Sequence, residues 1–289
     1  MLANSYTSDM TYIVFDIGGT KMRIAHSEDL ERFGDPVIVP TPAKFEDGVE
    51  LFRNTVMSLT NDHPPKAMAG GIRGPLNTDH SRLLSEIHLT DWVGKPIKEA
   101  LAEACGGDVY LENDTAMVGL GEATHGAGKG NSIVAYITVS TGVGGAKIED
   151  GKIDKASIGF EPGKMIIDPD DTLCPDCEGN TLESYVSGAS VEKRFGMKPY
   201  EITNPEVWKE LAKYLAIGVH NVVVNWSPDV VVLGGSMIVG NPAIAVRDVD
   251  EHFKELLTVF PKAPALKQAE LGDFGGLYGG LAYLKKVVQ

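Results

Sequence analysis

Only three cysteines occur in 289 residues, Cys105, Cys174 and Cys177. So few in so long a chain cannot make a disulfide framework, and they suit a reducing compartment. Long apolar runs are also missing: none approaches the roughly 18 residues of a membrane span. Met1 to Met10 is too polar for a signal peptide, so the cytoplasm is the expected compartment. Basic residues are scarce as well. The 26 lysines and arginines against 40 aspartates and glutamates leave a formal charge of -14. That balance argues against sequence-independent nucleic-acid binding and against an anionic membrane surface as partners. A small-molecule ligand fits better. What is present is globular in composition, with 43% hydrophobic and 23% charged residues, and long enough for about two domains.

The most informative stretch runs from Tyr12 to Ala25: an apolar run, then Asp16-Ile17-Gly18-Gly19-Thr20-Lys21, then a second apolar run. Two runs of β-type residues around a glycine turn predict a hairpin. Without Cβ atoms, Gly18 and Gly19 let their N–H groups approach a phosphate, while Thr20 and Lys21 add a hydroxyl and a cation. Asp16 at the strand end is placed to hold a hydrated Mg2+. An ordinary tight turn is the other reading of any single Gly-Gly. The design recurs at Ile133 to Val139, Ser140-Thr141-Gly142-Val143-Gly144-Gly145 and Ala146 to Ile148. Two copies of one phosphate-friendly hairpin predict a duplicated architecture with a cleft between its halves.

Between and beyond these hairpins the chain alternates strands with helices. Residues 1 to 11 read as a loose leader, and Pro36 to Pro40 as a short extended segment. Val49, Phe52, Val56 and Leu59 predict a helix over Phe45 to Asn61. Ala67 to Pro75 reads as a small-residue strand and turn, whose Gly74 lies against a neighbouring strand or a ligand. Pro96 marks the first turn of a helix ending before Gly106. Val109 to Asp114 is a strand ending in polar residues, with a helix after it, and such junctions are where open α/β sheets place ligand chemistry. Asp114 there reads either as a helix N-cap or as a functional carboxylate. Gly126 to Gly130 lacks the spacing of a P-loop and reads as a loop. Ala156 to Glu183 is irregular and contains Cys174-Pro175-Asp176-Cys177, which is half of a zinc site at most. Asn204 and Pro205 open a helix to about Asn225; Asp229 to Ser236 is a buried strand ending in Gly234-Gly235; Leu277 to Val287 is a last helix.

Taken in order, Asp-x-Gly-Gly-Thr-Lys, Glu-Asn-Asp, Ser-Thr-Gly-x-Gly-Gly, Leu-Glu-Ser-Tyr-Val-Ser-Gly and Val-x-Leu-Gly-Gly resemble the ROK family of sugar kinases and repressors. The resemblance runs from Ile13 to about Leu284. It implies the two-lobed actin-like, ribonuclease H-like ATPase fold, of α/β class, each lobe a mixed sheet flanked by helices. Residues 1–115 with 275–289 would form the smaller lobe and 116–274 the larger. It implies ATP phosphates at Gly18, Gly19, Thr20 and Lys21 and at Thr141 and Gly142, with adenosine at Gly234 and Gly235. Sugar would be held by Gly74, Asn113, Asp114, Glu161, Lys164 and Glu183, with Asp114 the catalytic base. ATP and Mg2+ are the implied cofactors, and a homodimer the expected assembly.

Four departures accompany the resemblance. The family's Glu-x-Gly-His ends in Lys164; its zinc cysteines are reduced to Cys174 and Cys177; Ser140 stands where glycine is usual, and His88-Leu89 where many members have Asn-Leu. Zinc is therefore not expected. The implied activity is phosphorylation of a hexose, glucose first, with N-acetylmannosamine or another amino sugar as the alternative. A sugar-sensing protein without catalysis is the rival outside enzymes. Family repressors carry a DNA-binding segment before the first hairpin, for which residues 1 to 11 leave no room.

Overall fold

β1 (Tyr12–Ile17) occupies the middle of its sheet because both of its faces are apolar. The structure is a computed structural model and describes residues 11–288, so the expected leader lies, apart from Thr11, outside the described residues. Alternate side chains leave β1 on opposite sides. Ile13, Phe15 and Ile17 join a core with Phe52, Val56, Trp92 and Leu101, whereas Tyr12 and Val14 join a second cluster on the other face. A strand buried on both faces reads in sequence as an unbroken apolar run.

β2 (Lys21–Ser27) and β3 (Val37–Pro40) add antiparallel on one side of β1. After α1 (Phe45–Leu59), β4 (Ala67–Ile72) joins the other side in parallel, and after α2 (Ile97–Cys105), β5 (Asp108–Asn113) does the same. Parallel neighbours require such crossovers. Pro96 stands at the cap position of α2, next to its first turn. α3 (Asp114–Thr124) follows β5 with no intervening loop. The described residues up to Gly121 and from Phe274 onward form one compact unit, and Glu122–Asp273 a second.

The second unit repeats the plan. β6 (Ile133–Val139), β7 (Val143–Glu149) and β8 (Lys152–Ile153) form an antiparallel meander. Then come α4 (Leu182–Val186), α5 (Gly188–Phe195), α6 (Pro205–Trp226), β9 (Val230–Gly234), α7 (Ser236–Val239), α8 (Val246–Leu256) and β10 (Ala265–Gln268). The strand order β8-β7-β6-β9-β10 matches β3-β2-β1-β4-β5 step for step. The duplication expected from the two hairpins is thus a duplication of whole sheets. Asn204 caps α6 as expected, its side-chain oxygen accepting the Glu206 N–H at 3.1 Å. The span from Ala156 to Thr181 is irregular apart from a single 3-10 turn, Pro162–Lys164. Asp168 pins it by accepting the Tyr185 hydroxyl at 2.5 Å and the Leu173 N–H at 2.8 Å. Among the described residues no helix is long and apolar enough to cross a membrane.

The last helix, α9 (Gly275–Val288), belongs to the first unit, where Leu277, Leu281 and Leu284 cover Tyr12, Val14 and Ala69. It also lies directly on α3: a Cβ at Gly279 would stand 1.9 Å from the Met117 carbonyl oxygen. In an isolated helix, alanine in place of glycine stabilises by about 1 kcal/mol. Here the sign reverses, because the obstacle is backbone that cannot rotate away. Gly279→Ala should destabilise the protein by about 1–3 kcal/mol in urea unfolding, the range for overpacked sites. A variant as stable as the parent would refute the close approach.

Candidate functional site

The first unit gathers its polar groups where β1, β4 and β5 end. The hairpin turn is closed by the Gly18 N–H donating to the Lys21 carbonyl at 2.9 Å. Thr41 braces it, its hydroxyl donating to the Gly18 carbonyl at 2.7 Å and its N–H to the Thr20 carbonyl at 3.0 Å. Thr20 and Lys21 remain exposed. Asp16 and Arg23 face each other across the hairpin register and form an ion pair at 3.0 Å.

Asn113 and Asp114 divide the work that the sequence assigns to them jointly. Asn113 caps α3, its side-chain oxygen accepting the Ala116 N–H at 3.2 Å, and its amide nitrogen donates to the Gly74 carbonyl at 3.0 Å. The capping role considered for Asp114 therefore falls to its neighbour, because α3 begins one residue earlier than expected. Asp114 accepts the adjacent Thr115 N–H at 2.7 Å. Burial pushes its carboxyl up to about 7, the charge of Asp16 adds to the rise, and the Thr115 N–H and Arg73 oppose it. A carboxyl poised near neutrality can accept a proton from a substrate hydroxyl at working pH.

In the second unit the turn Ser140-Thr141-Gly142 is closed by the Ser140 N–H donating to the Gly142 carbonyl at 2.8 Å. The start of α5 lies along it, the Gly188 N–H donating to the Ser140 carbonyl at 2.7 Å and the Ala189 N–H to that of Thr141 at 3.2 Å. At the end of β9, Gly234 packs against Tyr136 and Ala269, and the next residue, Gly235, meets the end of β6 beside the turn. Gly235 has φ 87, and a Cβ on it would lie 2.3 Å from the Val139 carbonyl oxygen; next to it, the Ser236 hydroxyl is 3.2 Å from that of Ser140. The sequence does not reveal that Glu183 also belongs to this turn. One of its oxygens accepts the Val143 N–H at 2.9 Å and the other pairs with Lys164 at 2.5 Å. Burial, followed by the charge of Glu183, raises the Glu161 carboxyl, while Lys164 lowers it.

The first unit thus brings together Asp16, Gly18, Gly19, Thr20, Lys21, Gly74, Asn113 and Asp114. The second brings together Thr141, Gly142, Glu161, Lys164, Glu183, Gly234 and Gly235. Cys174 and Cys177 do not stand as free thiols: they are joined in a disulfide, in a turn where the Cys177 N–H donates to the Cys174 carbonyl. Sulfurs bonded to each other are not thiolate ligands, and a closed zinc site needs four ligands. Among the described residues no group of three or more His, Cys, Asp or Glu side chains could hold a metal ion. Mg2+ makes a different demand, one or two carboxylates with phosphate oxygens and water supplying the rest. The Asp16 carboxylate fits that demand. Sequence reasoning missed Arg23, Arg73, Glu86 and Ser236, and the only signal for the arginines was a cation set within an apolar or glycine-rich run.

Asp114 has a consequence for stability. Its folded value of about 7 lies above the ordinary 3.8, so the ionised form is disfavoured by the fold. Stability is lost as pH rises from about 4 to 7 and changes little above. Asp114→Asn removes that burden, so its stability relative to the parent should rise over this interval. Urea unfolding at a series of pH values tests this, and a pH-independent difference would contradict it.

An N-acetyl-D-glucosamine kinase of Vibrio atlanticus is 27% identical over 301 aligned positions, 93% of this chain and 97% of that protein. A glucokinase of Thermotoga maritima is 26% identical over 193 residues, 64% of this chain but only 60% of that protein. The crystal structure of a ROK hexokinase from Thermus thermophilus superposes with a TM-score of 0.82 at 27% identity, over 97% of this chain and all of that one. The sequence profile of the ROK family matches residues 12–287, and the chain belongs to that family.

Proposed function

We propose that the protein is an ATP-dependent sugar kinase, moving the γ-phosphoryl group of ATP to a hydroxyl of a hexose, with glucose the first candidate. The observation that carries this reading is Asp114, a carboxyl of value about 7 fixed at the end of β5 beside Asp16 and the first glycine turn. Phosphoryl transfer needs positioning and charge neutralisation rather than a protein nucleophile. The turn at Gly18 to Lys21 offers backbone N–H groups, a hydroxyl and a cation to phosphate. Thr141 and Gly142 offer a hydroxyl and backbone in the second unit, without a cation, and in this reading the nucleoside lies along the chain at Gly234 and Gly235. Asn113, Gly74, Glu161, Lys164 and Glu183 supply donors and acceptors suited to vicinal hydroxyls. Asp16 would hold Mg2+, which when bound offsets phosphate charge. This reading expects a cytoplasmic homodimer with no nucleic-acid or membrane partner, in keeping with the charge of -14.

A second reading, an N-acetylhexosamine as acceptor, draws support from one fact. The Vibrio kinase named for such a sugar aligns along 97% of its length, whereas the Thermotoga glucokinase aligns along 60%. Lys164, at the end of the Glu161 motif, is the residue whose exchange would alter the grip on a sugar ring. A catalytically silent sugar sensor, the remaining alternative, would show no turnover on any sugar.

Coupled ADP release across a panel of hexoses and N-acetylhexosamines tests the reading, with turnover expected on at least one sugar. Failure on every sugar would refute it. With the preferred sugar, kcat/KM should rise tenfold per pH unit below about 7 and level above, since the base must be ionised. Asp114→Asn should lower kcat by about 10²–10⁴-fold with nucleotide affinity little changed. Near-normal turnover in that variant would refute Asp114 as the base.

A further inference from the structure

Arg73 is a cation whose placement neither the turn nor the sugar groups explain. Its N–H donates to the Ile17 carbonyl at 3.0 Å, extending the parallel pairing with β1 one residue past the end of β4. That step sets the side chain beside the first glycine turn, its Cδ 3.6 Å from the point a Cβ on Gly19 would occupy. Its Nε donates to Glu86 at 3.3 Å. Glu86 is only 9% exposed, and its other oxygen accepts the N–H groups of Ile87 and His88, both at 2.9 Å. The carboxylate therefore holds Arg73 from a fixed position. Among the described residues, no protein group is hydrogen-bonded to Nη1 or Nη2 of Arg73, which is 35% exposed. The charge of Arg73 also reaches Asp114, where it opposes the effect of burial.

An arginine that merely completed a surface ion pair would be worth little and would be free to swing. This one is clamped at one edge and open at the other, between a phosphate-type turn and the proposed base. We propose that Arg73 is a catalytic residue of the phosphoryl transfer, its Nη1 and Nη2 donating to non-bridging oxygens of the phosphoryl group in flight. The inference rests on the kinase reading above. In the step, the bond from the acceptor oxygen to phosphorus forms, and the bond from phosphorus to the β–γ bridging oxygen breaks. That electron pair leaves with ADP, and the acceptor's proton passes to the Asp114 carboxylate. Arg73 stays protonated throughout. Its contribution is to meet charge building on the equatorial oxygens with a planar fork, which a lysine cannot reproduce.

Arg73→Met keeps the stem and removes the fork; Arg73→Lys keeps only the charge. With the preferred sugar, kcat should fall about 10²-fold or more in Arg73→Met and less in Arg73→Lys, the scale of losing an oriented transition-state donor. Sugar and nucleotide KM and the melting temperature should hardly move. Free guanidinium should restore part of kcat in Arg73→Ala, which it would not do for a purely structural arginine. Titration of inorganic phosphate gives a readout independent of turnover, with affinity expected to fall in Arg73→Met and to hold in the exposed-site control Arg53→Met. If kcat survives in Arg73→Met, the inference is overturned while the kinase reading stands. If only sugar KM rises, Arg73 grips an anionic substituent of the sugar, and the inference is again overturned. If the parent phosphorylates no sugar, the kinase reading falls. Phosphate titration then decides alone: equal binding by parent and Arg73→Met overturns the anion contact, and loss of binding supports it.

Discussion

A strand covered on both faces can present chemistry only at its end. β1 obeys this constraint, with Ile13, Phe15 and Ile17 committed to one core and Tyr12 and Val14 to another. β4 and β9 carry nothing but buried residues along their length. The candidate groups consequently gather at the strand termini: Asp16 in the last residues of β1 with the glycine turn beyond it, Arg73 and Gly74 after β4, and Asn113 and Asp114 where β5 gives way to α3. The second sheet repeats the arrangement with Ser140 to Gly142 after β6 and Gly235 after β9. Backbone groups that leave the ladder at these ends are taken up locally, the Gly18 N–H by the Lys21 carbonyl and the Ser140 N–H by that of Gly142.

Much of this was legible in the sequence because it rests on local pattern. The hairpins announced themselves by two apolar runs around Gly18-Gly19 and around Gly142, and their recurrence foretold that one sheet plan is used twice. α6 was readable from Asn204, Pro205 and its apolar spacing. Less visible were elements whose signal is short. β10 is four residues with no fully buried side chain, and α7 is a single turn. α8 was readable in principle, since Val249 and Phe253 lie one helical turn apart and are buried.

For the candidate site, the motifs single out residues, but the partners of those residues are visible only in the structure. Nothing in Leu182-Glu183 reveals that Glu183 reaches the Val143 N–H across 40 positions, or that it pairs with Lys164. Nor could the spacing of Cys174 and Cys177 distinguish half a metal site from a disulfide. The rise of the Asp114 carboxyl depends on desolvation and on the charge of Asp16, which is remote in sequence and lies on the far side of β4. Such couplings belong to tertiary structure, where strands from distant parts of the chain end side by side.

The return of α9 to the first unit sets an order of events during synthesis. Glu122 to Asp273 is one continuous stretch and holds every strand of its own sheet, so that sheet needs no strand from the end of the chain. The first sheet emerges earlier but stays unfinished. One flank of β1 and β4, including Tyr12, Val14 and Ala69, has no cover until Leu277, Leu281 and Leu284 appear. The half of the molecule made first is therefore the half finished last, and a nascent chain stopped short of residue 275 leaves that greasy flank bare to chaperones, proteases and neighbouring chains.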